Sequence, residues 1–256
     1  MLLLIDIGNT STTIGFHDES GIRDILRLST VRGKRGVREY SYILKGVIQE
    51  HDMEAPEGAV ICSVVPEVTA LFTGAIRKTF GIESLNVDHE IKTGLKFRIK
   101  NPGELGPDRI ANAVAAHRLY EGSLIVVDFG TATTFCVVTE KGEYKGGAIM
   151  PGLVLTANSL AAATAKLPRV ELKCPTRVLG RDTNENILAG VFYGHVGAVE
   201  RIISGIKKEI GGELTVVATG GLSGLVAPHL KVIDHLNPLL TLEGLRFIYE
   251  LNTEKV

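Results

Sequence analysis

The 256-residue chain has no tryptophan, only 5% aromatic residues and three cysteines. Cys62, Cys136 and Cys174 are odd in number and widely spaced, which excludes a disulfide framework, and no pair has the spacing of a metal knuckle. Cys62 and Cys136 lie in apolar strand-like runs, where a thiol acts as a small hydrophobe. Charge of one sign is missing too. The formal net charge is -1 with no long basic or acidic run, so neither a phosphate backbone nor an anionic membrane is a natural partner. The apolar opening Met1–Ile5 stops at Asp6, too short for a signal-peptide core and without a basic start. No later window reads as the roughly 20 apolar residues of a membrane span. A cytoplasmic protein is therefore expected. A Gly-x-x-x-x-Gly-Lys-Ser/Thr loop is lacking, which excludes a P-loop kinase, and the histidines show no ligand spacing.

The apolar share of 45% and charged share of 22% are those of an ordinary globular protein. The length suits one large domain or two smaller ones, each able to bury a core. An internal repeat favours two. Leu2–Gly21 reads LLLIDIGNTSTTIGFHDESG, and Leu124–Gly142 reads LIVVDFGTATTFCVVTEKG. Each is an apolar strand, an Asp-x-Gly turn, a hydroxyl-rich stretch, a second apolar strand and a polar turn ending in glycine. Without gaps, Asp6 aligns with Asp128, Gly8 with Gly130 and Thr12 with Thr134. Recurrence of such a unit half a chain later suggests two domains of one topology, although unrelated hairpins also share turn chemistry.

The rest of the pattern agrees. Ala59–Val65 reads as a buried strand leading into a helix at Pro66, and Leu214–Ala218 as a strand leading into Thr219-Gly220-Gly221 and an apolar segment. Helices are expected over Val37–Glu50, Pro107–Tyr120 and, from a capping box at Asp182–Glu185, as far as about Ile210. The prediction is an α/β fold with mixed sheets, residues 1–121 and 122–256 forming the two domains.

Several motifs carry chemistry. Asp6-Ile-Gly-Asn-Thr10 follows the first strand. Gly8 allows close backbone approach to a phosphate, and Asn9, Thr10 and Ser11 supply amide and hydroxyl donors. A carboxylate beside phosphates implies Mg²⁺ between them. An empty hairpin turn would look the same, but the second copy, Asp128-Phe-Gly-Thr-Ala-Thr133-Thr134, suggests an electrostatic clamp on a polyphosphate. Gly106-Pro-Asp-Arg109 opens a helix. Asp108 there reads either as a helix cap or as a base beside the Arg109 fork. Gly146–Gly152 precedes a helix rich in small residues, suited to tight packing or to lining a substrate channel.

In this order, with Gly180-Arg-Asp-Thr183, these motifs resemble type III pantothenate kinase over nearly the whole chain. The resemblance implies duplicated ribonuclease H-like domains of the actin and sugar-kinase superfamily, with ATP bound between them. It implies ATP-dependent phosphorylation of pantothenate. Matched position by position, Asp6, Ile7, Gly8, Asn9, Thr10, Ser11, Thr12 and Thr13 would hold ATP phosphates, and Thr131 would contact ATP. Gly106, Pro107, Asp108 and Arg109 would hold pantothenate with Asp108 as base, and Thr183 would contact pantothenate. Asp128 would bind a monovalent cation, potassium or ammonium, and a divalent ion would accompany ATP. Many members carry Tyr before the Asn-Pro pair, where this chain has Ile99, with Phe97 as a partial substitute.

The family is typically homodimeric. In this chain Gly190, Gly194, Gly197 and Ala198, with an apolar face of Ile187, Val191, Ile202, Ile203 and Ile206, suggest pairing through the long helix. Two other functions fit the fold: a sugar kinase of the superfamily, or a non-enzymatic nucleotide-binding regulator. Asp108, Arg109 and Asp128 favour chemistry over regulation, and no basic face points to DNA.

Overall fold

The computed structural model describes residues 1–33 and 35–253, and they divide into two compact units, Met1–Arg118 with the segment from Leu239 onward, and Leu119–Pro238. In the first unit the chain forms β1 (Leu2–Ile7), β2 (Ser11–Asp18), β3 (Gly21–Ser29), α1 (Val37–Glu50), β4 (Gly58–Ser63), α2 (Pro66–Phe80), β5 (Ser84–Asn86), a short β6 (Lys96–Phe97) and α3 (Pro107–Leu119). The sheet runs β3-β2-β1-β4-β5: β1 is antiparallel to β2 and parallel to β4. Strand alternation sends Leu3, Ile5 and Ile7 into one core with Ile14, Phe16, Ala59 and Ile61, and α1 and α2 close over it with Tyr40, Leu44, Val68 and Phe72. Pro66 stands at the first turn of α2, where its missing N–H costs nothing.

The second unit continues with β7 (Ser123–Phe129), β8 (Ala132–Val138), β9 (Glu143–Pro151), α4 (Leu153–Ala163), α5 (Thr183–Ile210), β10 (Leu214–Thr219), α6 (Ser223–Val226) and β11 (His235–Leu236), and α7 (Leu240–Thr253) ends the chain. Its strands run β9-β8-β7-β10-β11, the order of the first sheet, with the same antiparallel and parallel neighbours. The duplication expected from the repeated hairpin is thus a duplication of sheet topology. The helix after the fourth strand is full length in the first unit but a single turn, α6, in the second.

The segment from Leu239 onward groups with the first unit, not with the run 122–256 expected for the second domain. Close packing explains it. A β-carbon on Gly244 of α7 would collide with the Ala111 carbonyl of α3, and one on Gly15 would lie 2.7 Å from Leu242 Cδ1. The bare backbones let α7 settle against α3 and β2.

Against the expectation of no spanning window, helix α5 is long and apolar enough by composition to cross a membrane. Ile187, Val191, Phe192, Val199 and Ile203 are buried in the core of the second unit. Ile202 and Ile206 pack against the same core, so the apolar face assigned to dimerisation is spent within the unit. What α5 leaves outward is Gly190, Gly194 and Gly197, exposed.

Candidate active site

Strand β1 carries Asp6 one residue before its end, on the face opposite Ile5 and Ile7. The Gly8 amide donates to Ser11 O at 3.0 Å and closes the turn, leaving Asn9 and Thr10 exposed at its tip. Thr30 braces it: its hydroxyl donates to Gly8 O at 2.8 Å and its amide to Thr10 O at 3.0 Å. Thr13 stands opposite Asp6 in the β1–β2 register, on the same face. Ile7 and Thr12 point the other way. Ile7 is fully buried, and the Thr12 hydroxyl lies 3.0 Å from that of Thr30. Only the backbone of these two residues is open on the Asp6 side of the turn.

Asp6 is half-buried, and Cys62, its register partner on β4, donates a thiol hydrogen bond to Asp6 Oδ1 at 3.1 Å. Burial, and then the neighbouring Asp108 carboxylate, push the Asp6 carboxyl from 3.8 up to about 6, while the Cys62 hydrogen bond and Arg27 pull it down. The Cys62 thiol is itself raised by burial and by these carboxylates, so it is no nucleophile. Asp108 lies in the first turn of α3, half-buried. Its carboxylate folds back over Gly106, where any side chain would collide with Oδ1. Burial raises the Asp108 carboxyl, opposed by the Arg109 amide and guanidinium. A carboxylate held this way is poised to accept a proton.

The hairpin of the second unit repeats the first with one difference. Gly130 N donates to Ala132 O at 3.1 Å, and Asp128 faces Thr134 across the β7–β8 register as Asp6 faces Thr13. The first turn is one residue longer. Thr12 therefore corresponds to Thr133 and not, as the gapless alignment has it, to Thr134. A slip of one residue exchanges the two faces of a strand. Both of these threonines are buried, and Thr133 Oγ1 lies 3.1 Å from His195 Nε2. Thr131 is exposed, and its carbonyl accepts from Gly152 N at 3.0 Å.

Thr219, at the end of β10, stands beside Asp128 in the parallel register. It is fully buried and its hydroxyl has no hydrogen-bond partner among the described residues. Gly220 follows at φ +93°, and a β-carbon there would collide with Asp128 Oδ1. A carboxylate with an orphaned buried hydroxyl beside it is an all-oxygen donor set that fits a hard cation. No group of three or more metal-ligating His, Cys, Asp or Glu exists among the described residues. A divalent ion therefore fits as a companion of phosphates rather than in a protein cage.

A cavity of about 770 Å³ opens in the second unit between β9, α4 and α5, walled by Met150, Pro151, Thr156, Leu160, Thr183 and His195. Thr183 begins α5, whose N-terminus is fixed by a reciprocal cap: Asp182 Oδ1 accepts from Glu185 N at 2.8 Å, and Glu185 Oε2 from Arg181 N at 2.9 Å. The Gly146–Gly152 segment leads into α4. It is mostly strand β9, and its end lines this cavity. Burial lowers the pKa of His195 and keeps its ring neutral, with Nδ1 unpartnered among the described residues. Sequence reasoning passed over Thr219 as a ligand and His195 altogether, because the features that single them out are a register and a burial.

The sequence profile of the type III pantothenate kinase family matches residues 2–205. The type III pantothenate kinase of Moorella thermoacetica is 47% identical over 255 residues, 99% of this chain and 100% of that protein. Among solved structures, a Campylobacter jejuni protein assigned to the Baf family of transcriptional activators superposes with a TM-score of 0.60 at 19% identity, covering 99% of this chain and 100% of that one. A 2-dehydro-3-deoxygalactonokinase protein from Sinorhizobium meliloti gives 0.56 at 14% identity with 100% of both chains covered. At these identities the structural likeness concerns the fold alone. By its match to the family profile and its near-complete match in sequence to a relative, the chain belongs to the type III pantothenate kinase family.

Proposed function

We propose that the protein transfers the terminal phosphoryl group of ATP to the primary hydroxyl of pantothenate, giving 4'-phosphopantothenate and ADP, the first step towards coenzyme A. Family membership supports the overall reaction. The observation that carries the residue assignment is Asp108, a carboxyl raised by burial and folded over Gly106 at the start of α3. In this reading Asp108 orients the substrate hydroxyl and takes its proton as the new P–O bond forms. Gly106 and Pro107 shape the turn, and Arg109 holds the pantothenate carboxylate. Thr183, at the mouth of α5, contacts the rest of that substrate.

The Asp6–Thr13 hairpin holds the ATP phosphates through the tip residues Asn9, Thr10 and Ser11 and through backbone, and Thr131 contacts ATP. Phosphoryl transfer has a loose transition state, so the protein's work is positioning and charge stabilisation. A divalent ion with ATP would neutralise charge on the phosphates, and Asp6 would hold it. Asp128, with Thr219 beside it, would hold a potassium or ammonium ion. A cytoplasmic homodimer completes the proposal. Its support is the exposure of Ile149, Val154, Leu155, Val178 and Leu179 in the second unit, large apolar side chains of the kind that interfaces between chains cover.

Coupled measurement of ADP release with pantothenate, pantetheine and several sugars, in potassium and in sodium buffers containing Mg²⁺, tests the reading. Turnover with pantothenate that depends on potassium or ammonium is expected. Turnover with a sugar and none with pantothenate would overturn the function, and full activity in sodium alone would remove the monovalent site.

A further inference from the structure

Across the first sheet, one row of the register carries an unusual set of side chains. Cys62 on β4 pairs with Asp6 on β1, Asp6 with Thr13 on β2, and Thr13 with Arg27 on β3. Because side chains alternate, all of them lie on one face of the sheet, opposite the core formed by Ile5, Ile7 and Ile14. Ser11 lies on that face too, two residues from Thr13. Arg27 is exposed and reaches across the strand to it, Nη2 donating to Ser11 Oγ at 3.0 Å. The same guanidinium acts electrostatically on the Asp6 carboxyl. From the loop after β3, exposed Arg32 donates through Nη2 to Asn9 Oδ1 at 2.6 Å.

Two guanidinium groups therefore rest on the polar side chains at the tip of the Asp6–Ser11 turn. Neither forms an ion pair with a carboxylate within 4.0 Å among the described residues. By contrast, Arg23 on the same strand is paired with Asp18, and Arg77 with Glu83. An arginine has five donors in a rigid fork, and a neutral hydroxyl or amide uses one of them. The fork is left electropositive at the place where the turn exposes its tip, next to a carboxylate, Asp6, that would repel phosphate.

We propose that Arg27, with Arg32 beside it, is a phosphate ligand for the polyphosphate tail of ATP, offsetting the charge that Asp6 and the phosphates bring together. The inference rests on the assignment of the Asp6–Thr13 hairpin to ATP. In the unliganded protein Ser11 and Asn9 hold the two forks in place, so little side-chain ordering remains to be done on binding. The added contact is to phosphate oxygens and not to the adenosine.

The test is steady-state kinetics of Arg27→Met, which keeps the aliphatic stem, and of Arg27→Lys, with thermal melting as the check on folding. A charge-assisted hydrogen bond to phosphate lost from an open site lowers kcat/KM for ATP by roughly tenfold to a hundredfold, with KM for pantothenate little changed. Lysine recovers part of this, since it keeps the charge but not the fork. Competitive inhibition by ADP weakens in Arg27→Met, whereas inhibition by adenosine does not. If adenosine and ADP weaken equally and Ser11→Ala reproduces the defect, Arg27 only holds the turn, and the proposal fails. Wild-type kcat/KM for ATP in Arg27→Met also overturns it. If Asp6→Asn as well leaves kcat/KM for ATP unchanged, the hairpin assignment has failed and this inference with it; a defect in Asp6→Asn alone isolates the failure to Arg27.

Discussion

Replacing Asp6 by Asn should stabilise the unliganded protein while it disables the enzyme. Asp6 sits half-buried at the end of β1, and its carboxyl is raised from 3.8 to about 6 by burial and by Asp108. A carboxyl whose folded pKa lies above its unfolded pKa opposes folding once it ionises. The opposition is absent below about pH 3.8, grows between 3.8 and about 6, and is complete above. Its full size, from the same displacement, is about 3 kcal/mol, an upper bound because water and relaxation soften buried charges. At pH 5 about half of it is present. Asparagine has nearly the same shape, carries no charge, and its Oδ1 still accepts the Cys62 thiol. Denaturant or thermal unfolding of both proteins without nucleotide or Mg²⁺ should show Asp6→Asn more stable at pH 8, by at most about 5–10 °C in Tm, and by about half as much at pH 5. Adding Mg²⁺ and ATP should narrow or reverse the gap, since the bound cation rewards the carboxylate only in the wild type. An Asp6→Asn protein no more stable than wild type at pH 8 would refute the electrostatic account of the turn.

Asp108→Asn should lower kcat by roughly 10²–10⁴-fold, as expected when a proton acceptor is lost. Its Tm should hold or rise, because burial raises this carboxyl too; near-wild-type turnover at saturating pantothenate would leave Asp108 as no more than a helix-start residue. Light scattering at micromolar concentration should give the mass of two chains, and a monomer there would remove the dimer from the proposal. Charging one of the exposed apolar positions should have a specific effect: Leu155→Glu, at a residue 50% exposed, should yield monomers without unfolding the second unit, read by mass and by circular dichroism.

Much of this was legible in the residues themselves, for local reasons. The Asp-x-Gly turns, the Pro66 start of α2 and the Asp182–Glu185 cap are chemistry within a few positions of the chain, and periodicity gave α1 its bounds at Val37 and Glu50. The order of the motifs was enough to place the chain in its family. Tertiary structure decided what depends on strand pairing and on packing over distance. A turn longer by one residue, visible only in the register, moved the counterpart of Thr12 from Thr134 to Thr133 and turned both hydroxyls inward. The same register set Arg27 in line with Asp6 and Cys62, residues far apart in the chain, and left Thr219 orphaned beside Asp128. Bare backbones at Gly15 and Gly244 drew α7 onto the first unit, and the apolar face of α5 went to the core of its own unit. Composition states how much apolar surface a helix carries; only the packed fold determines which surface covers it.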